Sequence, residues 1–450
     1  MSLPLSLGRR LALVDCNNFY VSCEQAFNPG LRGRLVVVLS NNDGCVVSRS
    51  AEAKMAGIPM AAPYFKIRRE FEAQGGIALS SNYALYADMS HRAMSLMRDM
   101  ADGQEIYSID ECFLDFSSFN AASAINQAIK IRQHLWQCLS LPVCVGLGTT
   151  KTLAKLANQM AKDQQIPSGV CDLSSLTSPR RQKQLLDMPV NSVWGIGRRT
   201  ANALGDKAIR SVGDLLKAPE AMLRKHFSVT LMRTRAELAG QPCIDLETRP
   251  KARQQIIASR SFGRAVTRQA DLIEALSTFA TRAAERLRED GSLAGSIQVY
   301  ITGNRFNEAE AGAARATMVM LDEPTDDTRE IVAATLAGLD EIYRPEHGYK
   351  KAGVVLGGIV AATCYQPDLL STSHRSGAAQ LMGAMDRINQ RYGRDRIRVA
   401  SMGYQDDADW HMSCSRRSPR YTTALDELPV FTATGMLLAK NTCYPGSSPL

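Results

Sequence analysis

Two adjacent carboxylates, Asp110 and Glu111, interrupt the apolar run Tyr107-Ser108-Ile109-Asp110-Glu111-Cys112-Phe113-Leu114-Asp115-Phe116. Neighbours on a regular strand point to opposite faces, so both acids reach one site only where the chain bends, as in a tight hairpin. An acidic pair in an apolar strand needs a partner such as a divalent cation. An acidic turn in solvent is the other reading, because Asp is common in hairpin turns. A third acid, Asp15, ends the apolar run Leu11-Ala12-Leu13-Val14. Three carboxylates, each at the edge of a β pattern, suggest strands converging on a metal pair. Two Mg²⁺ ions roughly 3.5–4 Å apart can clamp the attacking and leaving oxygens of a phosphoryl transfer.

The elements that must position these acids follow from periodicity. Strands are expected at 11–15, 35–39 and 45–48, with a helix-like stretch at 49–56 ended by Gly57 and Pro59. Helical patterns at 84–100 and 120–139 flank the acidic hairpin; a buried strand at 141–148, a helix at 152–162 and a short strand at 169–173 follow. Val193–Ala201 has the form of a helix-hairpin-helix, in which Gly195 and Gly197 make the turn and the next helix offers its N–H groups to a phosphate. Arg198, Arg199 and Arg210 favour DNA-backbone contact over an ordinary turn, and Ser211–Asp214 starts a further helix of the same module. From Lys251 to Ala270, five basic residues occur without one acid. A strand at 256–262, a helix at 271–289, strands near 293–301 and 315–321, a helix at 327–343 and a strand at 352–360 complete an α+β unit. Its basic first strand suits a duplex grip, a solvated basic face being the alternative. Beyond Ala361 a Ser/Thr-rich linker, an amphipathic stretch at 377–392 and basic loops at 394–398 and 416–421 read as a tail with limited core, partly ordered by partners.

Composition bounds the rest. At 450 residues the chain exceeds one ordinary core, so roughly two to four domains are expected. With 45% hydrophobic and 22% charged residues it reads as soluble and globular. Apolar runs fall short of membrane-spanning length, and Met1–Arg10 has no signal-peptide character. Eleven scattered cysteines without a CxxC argue for a reducing cytosol, with neither zinc nor a disulfide framework; Cys112 and Cys144 read as small core residues. The net charge of +8 permits a polyanion partner without demonstrating one.

Asp15-Cys16-Asn17-Asn18-Phe19-Tyr20-Val21-Ser22-Cys23-Glu24 and Ser108-Ile109-Asp110-Glu111 resemble the two catalytic motifs of the Y-family DNA polymerases. Asn41–Val47 with Ala51-Glu52-Ala53-Lys54 resembles their UmuC branch, the catalytic subunits of bacterial polymerase V. The resemblance implies a multidomain α+β right-hand polymerase. Its parts would be a βαββαβ-type palm (1–20 and 87–185), small fingers (21–86), a helical helix-hairpin-helix thumb (186–245), an α+β little finger (251–362) and a C-terminal clamp- and partner-binding region (363–450). It also implies that Asp15 and Asp110 bridge two Mg²⁺ ions, that Glu111 helps hold the ion at the primer 3′ hydroxyl, and that the Cys16 carbonyl completes the nucleotide-side ion. Tyr20, next to a core Phe19, would be the steric gate against a ribose 2′-OH. Lys54 and Lys155 would contact the dNTP triphosphate, with Ser48 as a hydrogen-bond donor. Many members carry Tyr-x-x-Arg where this chain has Ala51-x-x-Lys54, and lysine lacks the bidentate fork of arginine. Lys151 and Lys162 read equally well as solvated helix lysines.

For DNA binding the resemblance points to Gly195, Gly197, Arg198, Arg199, Arg260 and Arg264. For a sliding clamp it points to Gln366, Leu369 and Leu370 of Gln366-Pro367-Asp368-Leu369-Leu370. The implied function is error-prone translesion synthesis without proofreading, in the cytoplasm at the nucleoid, during SOS mutagenesis and damage tolerance. Primer-template DNA, a clamp, a UmuD′-type dimer and RecA would be partners, and a membrane would not. A palm-type nucleotidyl cyclase and a catalytically inactive DNA-binding scaffold are the competing readings; retention of all three acids disfavours the scaffold.

Overall fold

Leu11–Cys16 (β1) is buried along its whole length, as a central strand covered on both faces must be. Around it the computed structural model describes residues 8–163, 166, 168–174, 179–248, 251–303, 314–366, 377–404, 410, 412–428, 430–431 and 437–438. The chain forms two units, one of residues 1–40, 44–250 and 416–450, the other of 41–43 and 251–415.

In the first unit β1 pairs antiparallel with β6 (Glu111–Asp115) on one side and β7 (Val143–Gly148) on the other. β5 (Gly103–Ile106) and β8 (Val170–Asp172) complete the sheet, in the order β5-β6-β1-β7-β8. α4 (Tyr83–Arg98) and α5 (Ala121–Leu139) cover it with Met89, Met94, Met97, Ile131 and Leu135. α6 (Lys151–Asp163) lies against β7 through Leu153, Leu156 and Ala157. The approach is close because Gly146 and Gly148 have no side chain: a Cβ on Gly146 would stand 2.2 Å from the Ala154 carbonyl oxygen. Asn158, buried in α6, donates its amide to the Leu13 and Cys144 carbonyls at 3.3 and 2.8 Å, which fixes the helix over both strands.

A smaller sheet, β2 (Val36–Leu39), β3 (Val46–Arg49) and β4 (Ile77–Ser80), follows α1 (Phe19–Phe27). Short helices Ala51–Met55 and Tyr64–Ala73 (α2 and α3) pack on it. Residues 179–238 form a helical module that opens with Pro179–Asp187 (α7) and in which Arg198–Gly205 (α8) follows the two-glycine turn. The element before that turn is a 3-10 turn, Val190–Ser192, rather than the full first helix expected of the motif. The next helix, Val212–Lys217, opens with a capping box between Ser211 and Asp214.

In the second unit four antiparallel strands lie in the order Arg315–Thr325, Ser292–Thr302, Tyr349–Gly357, Ile256–Val266. Helices Gln269–Glu289 and Thr328–Ile342 bury one face of this sheet. The other face is open, with Met318, Met320 and Ile257 exposed. Helix Ala378–Tyr392 is tied to this unit by a two-pronged pair between Arg288 and Asp386, at 2.7 and 2.9 Å.

The basic loop at 416–421 differs from its sequence reading: it is a strap docked on the first unit rather than a tail awaiting a partner. Ser80 and Arg416 exchange hydrogen bonds at the edge of β4, and the Arg416 guanidinium stands 5.3 Å over the Tyr64 ring while pairing with Glu72 at 3.0 Å. Tyr421 stacks on Phe27, ring centroids 4.8 Å apart. Ser418 is buried and donates to Glu24 Oε1 at 2.9 Å.

Glu24 is 1% exposed and has hydroxyl partners but no cation among the described residues, so burial pushes its carboxyl up to about 7 against the pull of the Tyr86 and Ser418 hydrogen bonds. A folded value above the unfolded one means that folding takes up a proton between about pH 4.5 and 7. Stability falls as pH rises through that window, by about 3 kcal/mol in total. Glu24→Gln, which keeps the shape without the charge, is expected to be more stable than wild type at pH 8 and to flatten the decline of Tm between pH 5 and 8. Thermal unfolding across that range checks it, and an unchanged slope would count against the assignment. Among the described residues no helix is long and apolar enough to cross a membrane, and every cysteine is a free thiol.

Candidate active site

The β1–β6 ladder puts Asp15 directly across from Glu111, and the Cys16 amide donates to the Asp110 carbonyl at 2.9 Å. Asp110 closes the β5–β6 hairpin and Glu111 is the first residue of β6, so the bend needed to bring both acids to one place is the hairpin turn itself. Ser108 holds that turn. Its hydroxyl donates to Asp110 Oδ1 at 2.6 Å and accepts the Glu111 amide at 3.0 Å. The Asp110 carboxylate is thereby engaged locally, and among the described residues no cluster of three His, Cys, Asp or Glu side chains closes on a common point. Asp15 and Glu111 do meet.

Asp15 is buried, and its carboxyl is pushed up to about 7, first by loss of water, with Glu111 adding to the rise and Lys162 opposing it. Lys162 Nζ lies 2.6 Å from Asp15 and Lys155 Nζ 2.9 Å from Glu111. Lys155 also sits 4.2 Å above the Tyr107 ring, and Tyr107 is braced by Trp194, whose indole N–H donates to its hydroxyl at 3.1 Å. A site of oxygen donors, with two carboxylates abutting and a third one residue away, has the donor chemistry that suits a hard divalent cation. The Cys16 side chain takes no part: its thiol is buried, and burial raises its pKa far above the ordinary cysteine value.

The remaining candidates fall into three groups. Phe19 is buried in the core and Tyr20 is half-buried beside it, in the first turn of α1, which follows Asn18 in a left-handed conformation; asparagine tolerates that region better than most residues. Lys54 is exposed, its ammonium pushed below the usual lysine value by partial desolvation and by Arg49 and Lys162, with Asp15 opposing. Of these cations it is Lys162 that pairs with Asp15. Ser48 is buried and its hydroxyl is already used, donating to the Asn18 carbonyl at 3.2 Å. Arg198 and Arg199 are exposed in the first turn of α8, where positive charge opposes the helix dipole unless an anion joins it. Arg260 and Arg264 are exposed on Ile256–Val266, whereas the nearby Arg253 is paired with Asp290 at 3.2 Å. Gln366 is exposed; Leu369 and Leu370 lie outside the described residues.

Two lysines depart from their sequence reading. Lys151 is 2% exposed and ion-paired with Glu105, because the close contact of α6 with the sheet turns it inward. Lys162, for which a solvated helix position was the equal alternative, reaches Asp15. The available signal was its spacing: seven residues after Lys155, it falls on the same helix face.

Known families and structures match this arrangement. Residues 14–159 match the impB/mucB/samB family, residues 253–369 its C-terminal domain, and residues 379–430 a domain of unknown function. The chain is 42% identical over 420 residues to protein UmuC of Salmonella typhimurium, covering 93% of this chain and 99% of that one. It is 40% identical to protein MucB of Escherichia coli, over 94% of this chain and 99% of that protein, and 30% identical to DNA polymerase IV of Moorella thermoacetica, over 87% and 95%. In fold it resembles a Y-family DNA polymerase chimera with a TM-score of 0.61 at 20% identity, covering 78% of this chain and 99% of that one. A Dbh DNA polymerase in a post-insertion binary complex gives 0.53 at 19% identity, over 78% and 99%. Sequence motifs, the acidic hairpin on β1 and whole-chain identity agree: this chain belongs to the impB/mucB/samB family, in the UmuC branch of the Y-family DNA polymerases.

Proposed function

We propose that this DNA polymerase carries out error-prone translesion synthesis at a two-Mg²⁺ site formed by Asp15, Asp110, Glu111 and the Cys16 carbonyl. The observation that carries the reading is the cross-strand meeting of Asp15 with Glu111, one residue from Asp110, with a lysine on each of the two. When bound, the ions would lower the pKa of the primer 3′ hydroxyl and neutralise charge developing on the triphosphate. The protein's own residues orient the reactants. Lys54, Lys155 and Lys162 bring positive charge to the phosphates, and Tyr20 occupies the space of a ribose 2′-OH. Phosphoryl transfer needs little beyond such positioning and charge neutralisation.

The palm would be 1–20 and 87–185, the fingers 21–86, the thumb 186–245 and the little finger 251–362. Arg198 and Arg199 would hold the duplex backbone from the thumb, and Arg260 and Arg264 from the little finger. Small fingers leave discrimination to base-pair geometry, which favours bypass of damaged templates at low fidelity. A sliding clamp at Gln366, Leu369 and Leu370, a UmuD′-type dimer and RecA are the proposed partners, at the nucleoid. Primer extension across an abasic site with Mg²⁺, with and without a UmuD′-type dimer and RecA, tests the reading. Bypass with frequent misinsertion is expected. Accurate copying of undamaged template combined with arrest at every lesion would contradict it.

A further inference from the structure

The docked strap is linked through Glu24 and Tyr86 to Tyr20. Tyr86 is fully buried and its ring lies under that of Tyr20, centroids 4.5 Å apart and planes 15° from parallel. The exposed Tyr83 meets Tyr20 edge-on at 6.1 Å, so the gate candidate rests on one ring and leans on another, both carried by α4. The Tyr86 hydroxyl donates to Glu24 Oε1 at 2.8 Å, the same oxygen that accepts from Ser418. Asn82, which caps α4 by accepting the Leu85 amide, turns its amide nitrogen to the strap and donates to Ser418 Oγ at 2.9 Å and to the Pro419 carbonyl at 3.0 Å. Ser418, Asn82, Glu24 and Tyr86 are each less than 6% exposed, and each is hydrogen-bonded to another member of the group. Buried polar groups left without partners are costly, so the network holds its members in one arrangement.

We propose that the strap Arg416–Tyr421 is a positioning element for sugar discrimination: Ser418, through Glu24 and Tyr86, holds the Tyr20 ring where it meets the nucleotide sugar. This assigns a role to part of the matched domain of unknown function, residues 379–430. It rests on the gate reading of Tyr20. Tyr86 and Ser418 do not touch the nucleotide; they set the stiffness and height of the ring that does. Loosening them lets the ring yield to a 2′-OH while deoxynucleotides, which do not press on it, are used as before.

The test is single-nucleotide primer extension by the full chain, measuring kcat/KM for a dNTP and the matching rNTP. Ser418→Ala and Tyr86→Phe each remove one hydroxyl and are expected to cut the dNTP/rNTP preference about fivefold, the worth of one hydrogen bond. The double variant should lose no more than either single, because both act through Glu24. Ser418→Thr should restore the preference, and dNTP kcat/KM of Ser418→Ala should stay within about twofold of wild type. Tyr20→Ala, run in parallel, separates the two readings. If it raises rNTP use while both hydroxyl deletions leave the preference unchanged, or lower use of both sugars equally, the strap proposal is overturned and the gate stands. If Tyr20→Ala leaves the preference unchanged, the gate reading falls and the strap proposal with it. Should Ser418→Ala fail to fold, Tyr86→Phe, which keeps the stacked ring, decides between the same outcomes.

Discussion

Asp110→Asn is expected to reduce primer extension by about 10³-fold or more, the scale at which a single preorganised charge at a reacting centre matters. The substitution keeps the side chain's shape and one oxygen. The Ser108 hydroxyl can still donate to that oxygen, and the Asp110 carbonyl still accepts the Cys16 amide, so the hairpin should persist. Thermal unfolding close to wild type and retained binding to primer-template DNA would locate the loss in the chemistry. A variant that extends primers at the wild-type rate would return the chain to the scaffold reading, in which the three acids have no catalytic task. Loss of fold along with activity would instead make Asp110 a structural turn residue, which its half-buried position and local hydrogen bonds make testable in the same experiment.

Gly146→Ala should be the most disruptive small change in the sheet. The added methyl would stand 2.2 Å from both the Ala154 carbonyl oxygen and the Asn158 amide nitrogen, which are helix backbone and cannot rotate away. Overpacking of this kind lies at or above the upper end of the usual range, about 3 kcal/mol. The helix that must move is α6, which carries Lys155 and Lys162 to the two carboxylates. A misplacement of about 1 Å there can cost about 10²-fold in rate. Denaturant midpoints and primer-extension rates measured on one preparation should therefore fall together. Gly197→Ala is the control: its φ of −77° suits any residue and a Cβ there meets nothing within 4 Å. It is expected to change stability by no more than about 0.5 kcal/mol. A Gly146→Ala protein as stable and active as wild type would mean that α6 and β7 do not pack at the close distance the two glycines allow.

Asp15, Asp110 and Glu111 could be picked out of the sequence because each breaks a local pattern: an acid at the end or in the middle of an apolar strand run is conspicuous wherever the chain goes. The same holds for the glycine-framed turn at 195–197, the helix start at Ser211–Asp214, and most strands and helices, whose periods of two and 3.6 are properties of a few consecutive residues. Tertiary structure decided what those residues touch. Lys151 and Lys155 lie one turn apart on the same helix, yet one is buried against Glu105 and the other faces Glu111 beneath Tyr107 and Trp194. Nothing within α6 distinguishes them, because the difference comes from β7 approaching closely at two glycines. The strap is the extreme case. A basic, serine- and proline-containing segment reads locally as a solvated tail, since its own residues offer no core. Its order depends on the buried carboxyl of Glu24 and the amide of Asn82, 394 and 336 residues away, and a pairing over that distance leaves no periodicity in the sequence to read.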